Sequence, residues 1–486
     1  MQQLSGLDAS FLYLETPKTP MHIGGVMIYD QRTVEGGKLR FKDILAHFES
    51  RLHLARTFRE KLVHVPLNLD HPYWIEDRDF DLEYHVRHIR LPEPGDWRQL
   101  CIQVARLHSR PLDLTKPLWE FTVIEGLDDI EGLPKGSFAV VTKIHHACID
   151  GVSGVDMVEA IHDIEPDADA PPRPGRPWKG EQEPSAIELM IRAQVRNMTQ
   201  PYRFAEVLAR TVPALGRLGQ RSTRKDVDRA SLAPPRTRFN HVVSAHRVVE
   251  GRRFDLSEVR AIKDTLDGAT VNDVVLAICG GALRLYLLAK HELPGVPMVA
   301  MAPISVRSSD EKGAMGNRIS AMTVPLGTHI EDPIERLGAI HEASVASKGM
   351  SNAVGAKLLT DYSQFIPSTT AAMAARLYVQ LGLSERVNVP FNCVVTNVPG
   401  PQFPLYSAGA KLLAQYGLGP IFDGMGLIFP VFSYDGKLFV SVTSCREMMP
   451  DPEFFSECMQ AAFDELKAAA LVVPEADVPS PAQGSP

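Results

Sequence analysis

Near its middle this chain stops reading like a folded interior, and that break limits what its 486 residues can build. Residues 165–184 are crowded with proline, charge and glycine, the composition of an exposed linker. Residues 185–229 then show helical spacing with a strongly basic face, and Arg196, Arg203, Arg210, Arg217 and Arg224 recur every seven positions. Pro201 and Pro213 must interrupt any single helix there. A second loop covers 233–240. The chain therefore divides into a first globular region at 1–165, a linker at 166–240 and a second globular region at 241–471. Residues 472–486, rich in proline, serine and alanine, are expected to be a disordered tail.

Both globular regions mix two periodicities. In the first, 45–62 reads as a basic amphipathic helix, 97–108 and 152–164 as further helices, and 121–125 and 138–144 as strands. In the second, 256–266, 272–290 and 452–470 read as helices, with Thr270 or Asn272 available to cap the middle one. Strands are expected at 298–306, 318–326, 392–398, 427–434 and 437–444. Two mixed α/β halves joined by a linker suggest a pseudo-duplicated fold.

Composition narrows the function. A net charge of -8 argues against nucleic acid as the main partner. The six cysteines are scattered singly, so neither a zinc site nor a disulfide framework is expected, and a reducing cytoplasm fits. Residues 1–10 lack the basic start and apolar stretch of a secretory signal. The longest apolar run, 274–288, is broken by Gly280, Gly281 and Arg284 and reads as too interrupted to span a bilayer. Any work at a membrane is expected to take place on its surface.

The sharpest local signal is His145-His146-Ala147-Cys148-Ile149-Asp150-Gly151, directly after the expected strand 138–144. Neighbouring strand residues point to opposite sides, so one histidine can face a cavity while the other must be held behind it. An imidazole in a cavity can take a proton from a hydroxyl near neutral pH. Asp150 suits either a proton relay or a structural pairing with an arginine, and Gly151 permits an unusual turn before the next helix. Cys148 is either a covalent nucleophile or a small apolar filler. No metal is expected, because this spacing does not place ligands on one helical face. The sequence has no G-x-S-x-G elbow, phosphate loop or dinucleotide fingerprint, which favours direct transfer over an acyl-serine intermediate.

These residues resemble the HHxxxDG signature of coenzyme A-dependent acyltransferases. More narrowly, the chain resembles the bacterial wax ester synthase/diacylglycerol acyltransferase family. The narrower likeness rests on residues 4–24 (LSGLDASFLYLETPKTPMHIG), Pro117-Leu118-Trp119, 233–240 (APPRTRFN), Asn272-Asp273 and 397–401 (NVPGP). The resemblance implies two chloramphenicol-acetyltransferase-like α/β domains, each a mixed sheet with helices, and an active-site tunnel between them. It implies His146 as general base, with His145 and Asp150 supporting the site's architecture. Arg307 is the expected partner of Asp150. Asn272 either supports the oxyanion or caps its helix, and Asp273 is expected to be structural. Long-chain acyl-coenzyme A would be a co-substrate rather than a resident cofactor, and the acceptor a long-chain alcohol or a diacylglycerol.

Other stretches keep two readings. Pro117-Leu118-Trp119 is a turn with a core anchor or a substrate contact. Residues 397–401 offer a tight turn or an asparagine for the site, and the small residues at 369–375 offer close helix packing or room for an alkyl chain. The basic seven-residue spacing is a solvated face or a surface for anionic lipid. Alternative activities are a condensation-type acyltransferase using carrier-protein thioesters or other hydroxyl lipids, and a non-catalytic lipid-droplet protein.

Overall fold

The structure is a computed structural model that describes residues 1–148, 153–173, 175, 178–196, 198, 234–305, 319–354 and 390–471. In the first half the strands are β1 Gln2–Gln3, β2 His22–Asp30, β3 Glu60–Val63, β4 Tyr73–Glu76, β5 Val86–Arg90, β6 Trp119–Leu127 and β7 Ser137–His145. Its helices are α1 Gly6–Leu14, α2 Phe41–Glu49, α3 Leu82–His85, α4 Trp97–His108, α5 Ser153–Ala160 and α6 at 186–196. The second half contributes β8 Arg247–Asp255, β9 Val299–Ser305, β10 Ile319–Pro325, β11 Cys393–Pro399, β12 Tyr406–Ser407, β13 Ala410–Leu418, β14 Leu427–Tyr434 and β15 Lys437–Cys445. Its helices are α7 Leu256–Lys263, α8 Val271–Ala289, α9 Pro333–Val354 and α10 Pro452–Ala470.

Two six-stranded mixed sheets result, ordered β12-β13-β2-β7-β6-β5 and β10-β9-β11-β14-β15-β8, with a small β1-β4-β3 sheet beside the first. The α/β class and the paired-sheet architecture follow the expectation. One connection was not legible: β12 and β13 leave the second half and complete the first sheet, β13 running antiparallel to β2. Tyr434, at the end of β14, fastens this crossing, its hydroxyl donating to Leu412 O at 3.0 Å and accepting from Leu405 N.

Local chemistry explains the elements. All nine residues of β7 are buried, and its β-branched run suits a strand enclosed on both faces. α4 starts in a capping box in which Asp96 accepts from Gln99 N at 2.7 Å. The expected helix 45–62 is corrected: α2 stops at Glu49, a short 3-10 turn covers Arg56–Phe58, and β3 follows. The chain turns there because Arg51 is buried and its guanidinium grips the Asp163 carboxylate at 2.7 Å. The apolar run 274–288 is in fact continuous within α8. This helix is long and apolar enough to cross a membrane, yet its side chains are mostly buried inside the protein and form much of the second core. The segment 472–486, most of the basic spacing (Arg203 to Arg224) and residues 369–375 lie outside the described residues.

Candidate active site

Helix α1 carries Phe11, and Glu15 caps its C-terminus four positions later, so the two stand one turn apart on one side. The helix is held at its start by Ser5, whose hydroxyl accepts from Asp8 N. Its C-terminal end approaches the 3-10 turn His146–Cys148, which follows directly on β7.

The two histidines separate as strand geometry requires. His145, the last residue of β7, is fully buried. Its main-chain N–H donates to Leu118 O at 2.9 Å, and its Nδ1 accepts from Ala147 N at 3.0 Å. The proton must then sit on Nε2, which faces the Glu15 carboxylate at 3.5 Å. The other Glu15 oxygen accepts from Met21 N at 3.1 Å, and Met21 O accepts from His146 N at 2.8 Å. One carboxylate thus anchors both neighbours of the motif.

His146 is half-buried, with its ring stacked on Phe11 at 3.9 Å between centroids and 14° between planes. Its Nδ1 is enclosed without a hydrogen-bond partner. Nε2 is the nitrogen left for a partner outside the protein. Burial, reinforced by the neighbouring His145, lowers its pKa to about 4, so the ring is neutral and able to accept a proton at pH 7.

Behind the motif lies a buried polar row. His22 stands opposite His145 in the β2–β7 register and its Nε2 meets His108 O at 2.7 Å, while His108 Nε2 meets Gly419 O at 3.0 Å. Arg247 on β8, also buried, donates to Lys18 O at 2.6 Å. The second half therefore braces the short turn after Glu15 from its own sheet edge.

The structure separates the remaining candidates. Trp119 is buried with its indole N–H on Phe58 O at 3.0 Å, and Leu118 O receives His145, so Pro117-Leu118-Trp119 is an anchor for the motif strand. Cys148 is buried with its sulfur toward Leu118 O at 4.0 Å, the filler reading. Thr270 is the cap of α8 and Asp273 completes its box while also meeting His341 Nδ1 at 3.1 Å. The cap alternative for Asn272 is therefore taken by Thr270, and Asn272 is a half-buried residue of the first helical turn. Asn397 lies half-buried in β11 opposite Val431. Asp150, Gly151 and Arg307 lie outside the described residues. Among the described residues no group of three or more His, Cys, Asp or Glu side chains could hold a metal ion.

Phe11, Glu15, Met21 and Arg247 were not singled out as site residues. The first three fall inside 4–24, where the four-residue spacing of Phe11 and Glu15 was the available signal. Nothing in the sequence marks Arg247.

Two family models match the chain: the wax ester synthase/diacylglycerol acyltransferase catalytic domain over residues 4–275 and the WS/DGAT C-terminal domain over 315–467. O-acyltransferase WSD of Acinetobacter baylyi is 34% identical, with 93% of each chain covered. A Mycobacterium tuberculosis protein named as a diacylglycerol O-acyltransferase is also 34% identical, over 96% of this chain and 91% of its own. Among solved structures, the wax ester synthase/diacylglycerol acyltransferase of Marinobacter aquaeolei superposes with a TM-score of 0.67 at 27% identity, covering 96% of this chain and all of the other. The first condensation domain of the calcium-dependent antibiotic synthetase shares the fold at 14% identity and a TM-score of 0.53, covering 96% of each chain.

Proposed function

The chain belongs to the wax ester synthase/diacylglycerol acyltransferase family and is an acyltransferase, and from that premise we propose that it esterifies a long-chain alcohol or a diacylglycerol with acyl-coenzyme A, using His146 as general base. The observation that carries this reading is the placing of His146, whose main-chain N–H is held by the Met21 carbonyl and whose ring is stacked on Phe11, with Nδ1 enclosed and Nε2 left for the substrate. Nε2 takes the hydroxyl proton as the alcohol oxygen attacks the thioester carbonyl carbon. The tetrahedral oxyanion collapses, the carbon–sulfur bond breaks, and the proton on Nε2 passes to the coenzyme A sulfur. Ester and free thiol leave.

His145 works through position. Its buried ring, held by Ala147 N and facing Glu15, keeps the following turn from rotating. A cytoplasmic enzyme acting at a membrane or lipid-inclusion surface is the setting we propose. The burial of all six cysteines and the apolar substrates support it.

The test is thiol release from palmitoyl-coenzyme A with hexadecanol or dioleoylglycerol. His146→Ala is expected to lower kcat by about 10² to 10⁴-fold with the melting temperature unchanged. A variant that keeps a tenth of wild-type turnover overturns the assignment.

A further inference from the structure

Of the ring pairs among the described residues, Phe11 and His146 come closest. Their centroids are 3.9 Å apart and their planes 14° from parallel, whereas the next pair, Phe254 and Phe463, stands at 4.5 Å. Other stacked histidines keep more distance: His85 lies 4.6 Å from Trp119, and His88 4.7 Å from Phe41. Two neutral rings prefer a wide offset or an edge-to-face meeting to a near sandwich. A cation prefers a seat directly over the ring face. The Phe11–His146 geometry therefore suits an imidazolium better than an imidazole.

The surroundings point the same way. Taking the hydroxyl proton makes His146 positive in a place where burial disfavours charge. Among the described residues no carboxylate is paired with it. The titratable groups of α1 and β7 beside it are engaged elsewhere: Glu15 faces His145 at 3.5 Å, Asp8 accepts from Ser5, and the Tyr13 hydroxyl meets His71 Nδ1 at 2.9 Å. What covers the His146 ring is the π face of Phe11. That face is held still, because α1 is capped by Ser5 at its start and tied by Tyr13 and Glu15 at its end. A partner already in place need not rearrange when charge develops.

We propose that Phe11 is a positioning residue for acyl transfer: acting through His146, its ring face holds the positive charge that the base carries between taking the alcohol's proton and giving it to the thiolate. The stack favours the charged ring over the resting one, so it raises turnover rather than affinity. This rests on the assignment of His146 as the base.

The experiment places 4-fluoro-, 3,5-difluoro- and 3,4,5-trifluorophenylalanine at position 11 of the full chain. Each nearly keeps the shape of the ring while fluorine withdraws electrons from its face. With palmitoyl-coenzyme A and hexadecanol, kcat is expected to fall stepwise to about a tenth of wild type at three fluorines, with KM and melting temperature unchanged. Phe11→Leu, which fills the space without a π face, should fall at least as far, and Phe11→Tyr should stay within about threefold of wild type. A flat fluorine series, or a leucine variant at wild-type turnover, is what packing alone predicts, and either overturns the proposal. If Phe11→Leu fails to fold, the fluorine series decides. A second readout needs no acyl transfer: the carbon-13 titration of the His146 ring, identified by its absence in His146→Gln, should move to lower pH along the series, because a drained face no longer favours the charged form. A titration that stays in place overturns the proposal. A titration that moves, in a protein whose His146→Ala variant keeps turnover, removes the base assignment instead and leaves the contact between Phe11 and the protonated ring standing.

Discussion

The two six-stranded sheets are matched in size and unlike in what they bury. The first half encloses His22, His71, His85, His108 and His145, while no histidine is buried in the described part of the second half. The second core is instead dominated by α8, where Val274 to Leu283 are buried almost without a polar atom. A buried imidazole must be hydrogen-bonded or kept neutral, and each constrains its neighbours in direction as well as distance. An aliphatic core is held by volume alone. The first half therefore aims side chains, and the second supplies a firm surface against which they are aimed.

That contrast can be broken from either side. Removing volume from the second core should cost stability without touching chemistry. Ile278→Ala is expected to lose about 2–5 kcal/mol in chemical denaturation, with kcat per folded molecule within twofold of wild type. A large fall in kcat would mean that the second core also aims the site.

A smaller effect, of the opposite kind, is expected at Glu15. Glu15→Gln keeps an acceptor for Met21 N but removes the charge facing His145. We expect kcat to fall about 10- to 100-fold, worth roughly 1.4–2.7 kcal/mol of barrier, with KM and melting temperature little changed. A change confined to the melting temperature would make Glu15 merely structural.

The mildest test is acid. Burial pushes His108 down to about 3 and His162 to about 4, and His22 also lies well below its ordinary value. Unfolded, these rings take a proton near pH 6.5, so below that pH the unfolded chain binds protons that the folded one excludes. Their stabilising share is complete above pH 6.5 and is lost progressively as the pH falls toward 4. The melting temperature should drop over that window, and His108→Gln should flatten the drop. A parallel curve in the variant would clear His108 of the effect.

How much was legible follows the same divide. Helices 97–108 and 452–470 and strand 427–434 stand where their periodicity put them, because each buries one contiguous stretch against its own half. The paired histidines were legible because their chemistry is written in adjacent letters. Glu15 was not, since its meeting with His145 exists only after α1 folds back across the end of β7. Arg247 is harder still: an arginine at the start of an edge strand carries no mark of the Lys18 carbonyl it reaches. The misread helix at 45–62 failed for a related reason. Its amphipathic spacing was real, but burial of Arg51 against Asp163 turned the chain before the pattern ended.

The borrowed strand β13 has a bearing on synthesis. A ribosome delivers β2 early, yet the neighbour that covers its free edge arrives only with residues 410–418. Until then the nascent first sheet exposes an open row of amides, the kind of edge that recruits foreign chains. Cutting the gene at the linker would leave that row permanently bare. The half that carries the histidines is therefore not a separable module, and it is finished only when nearly the whole chain has been made.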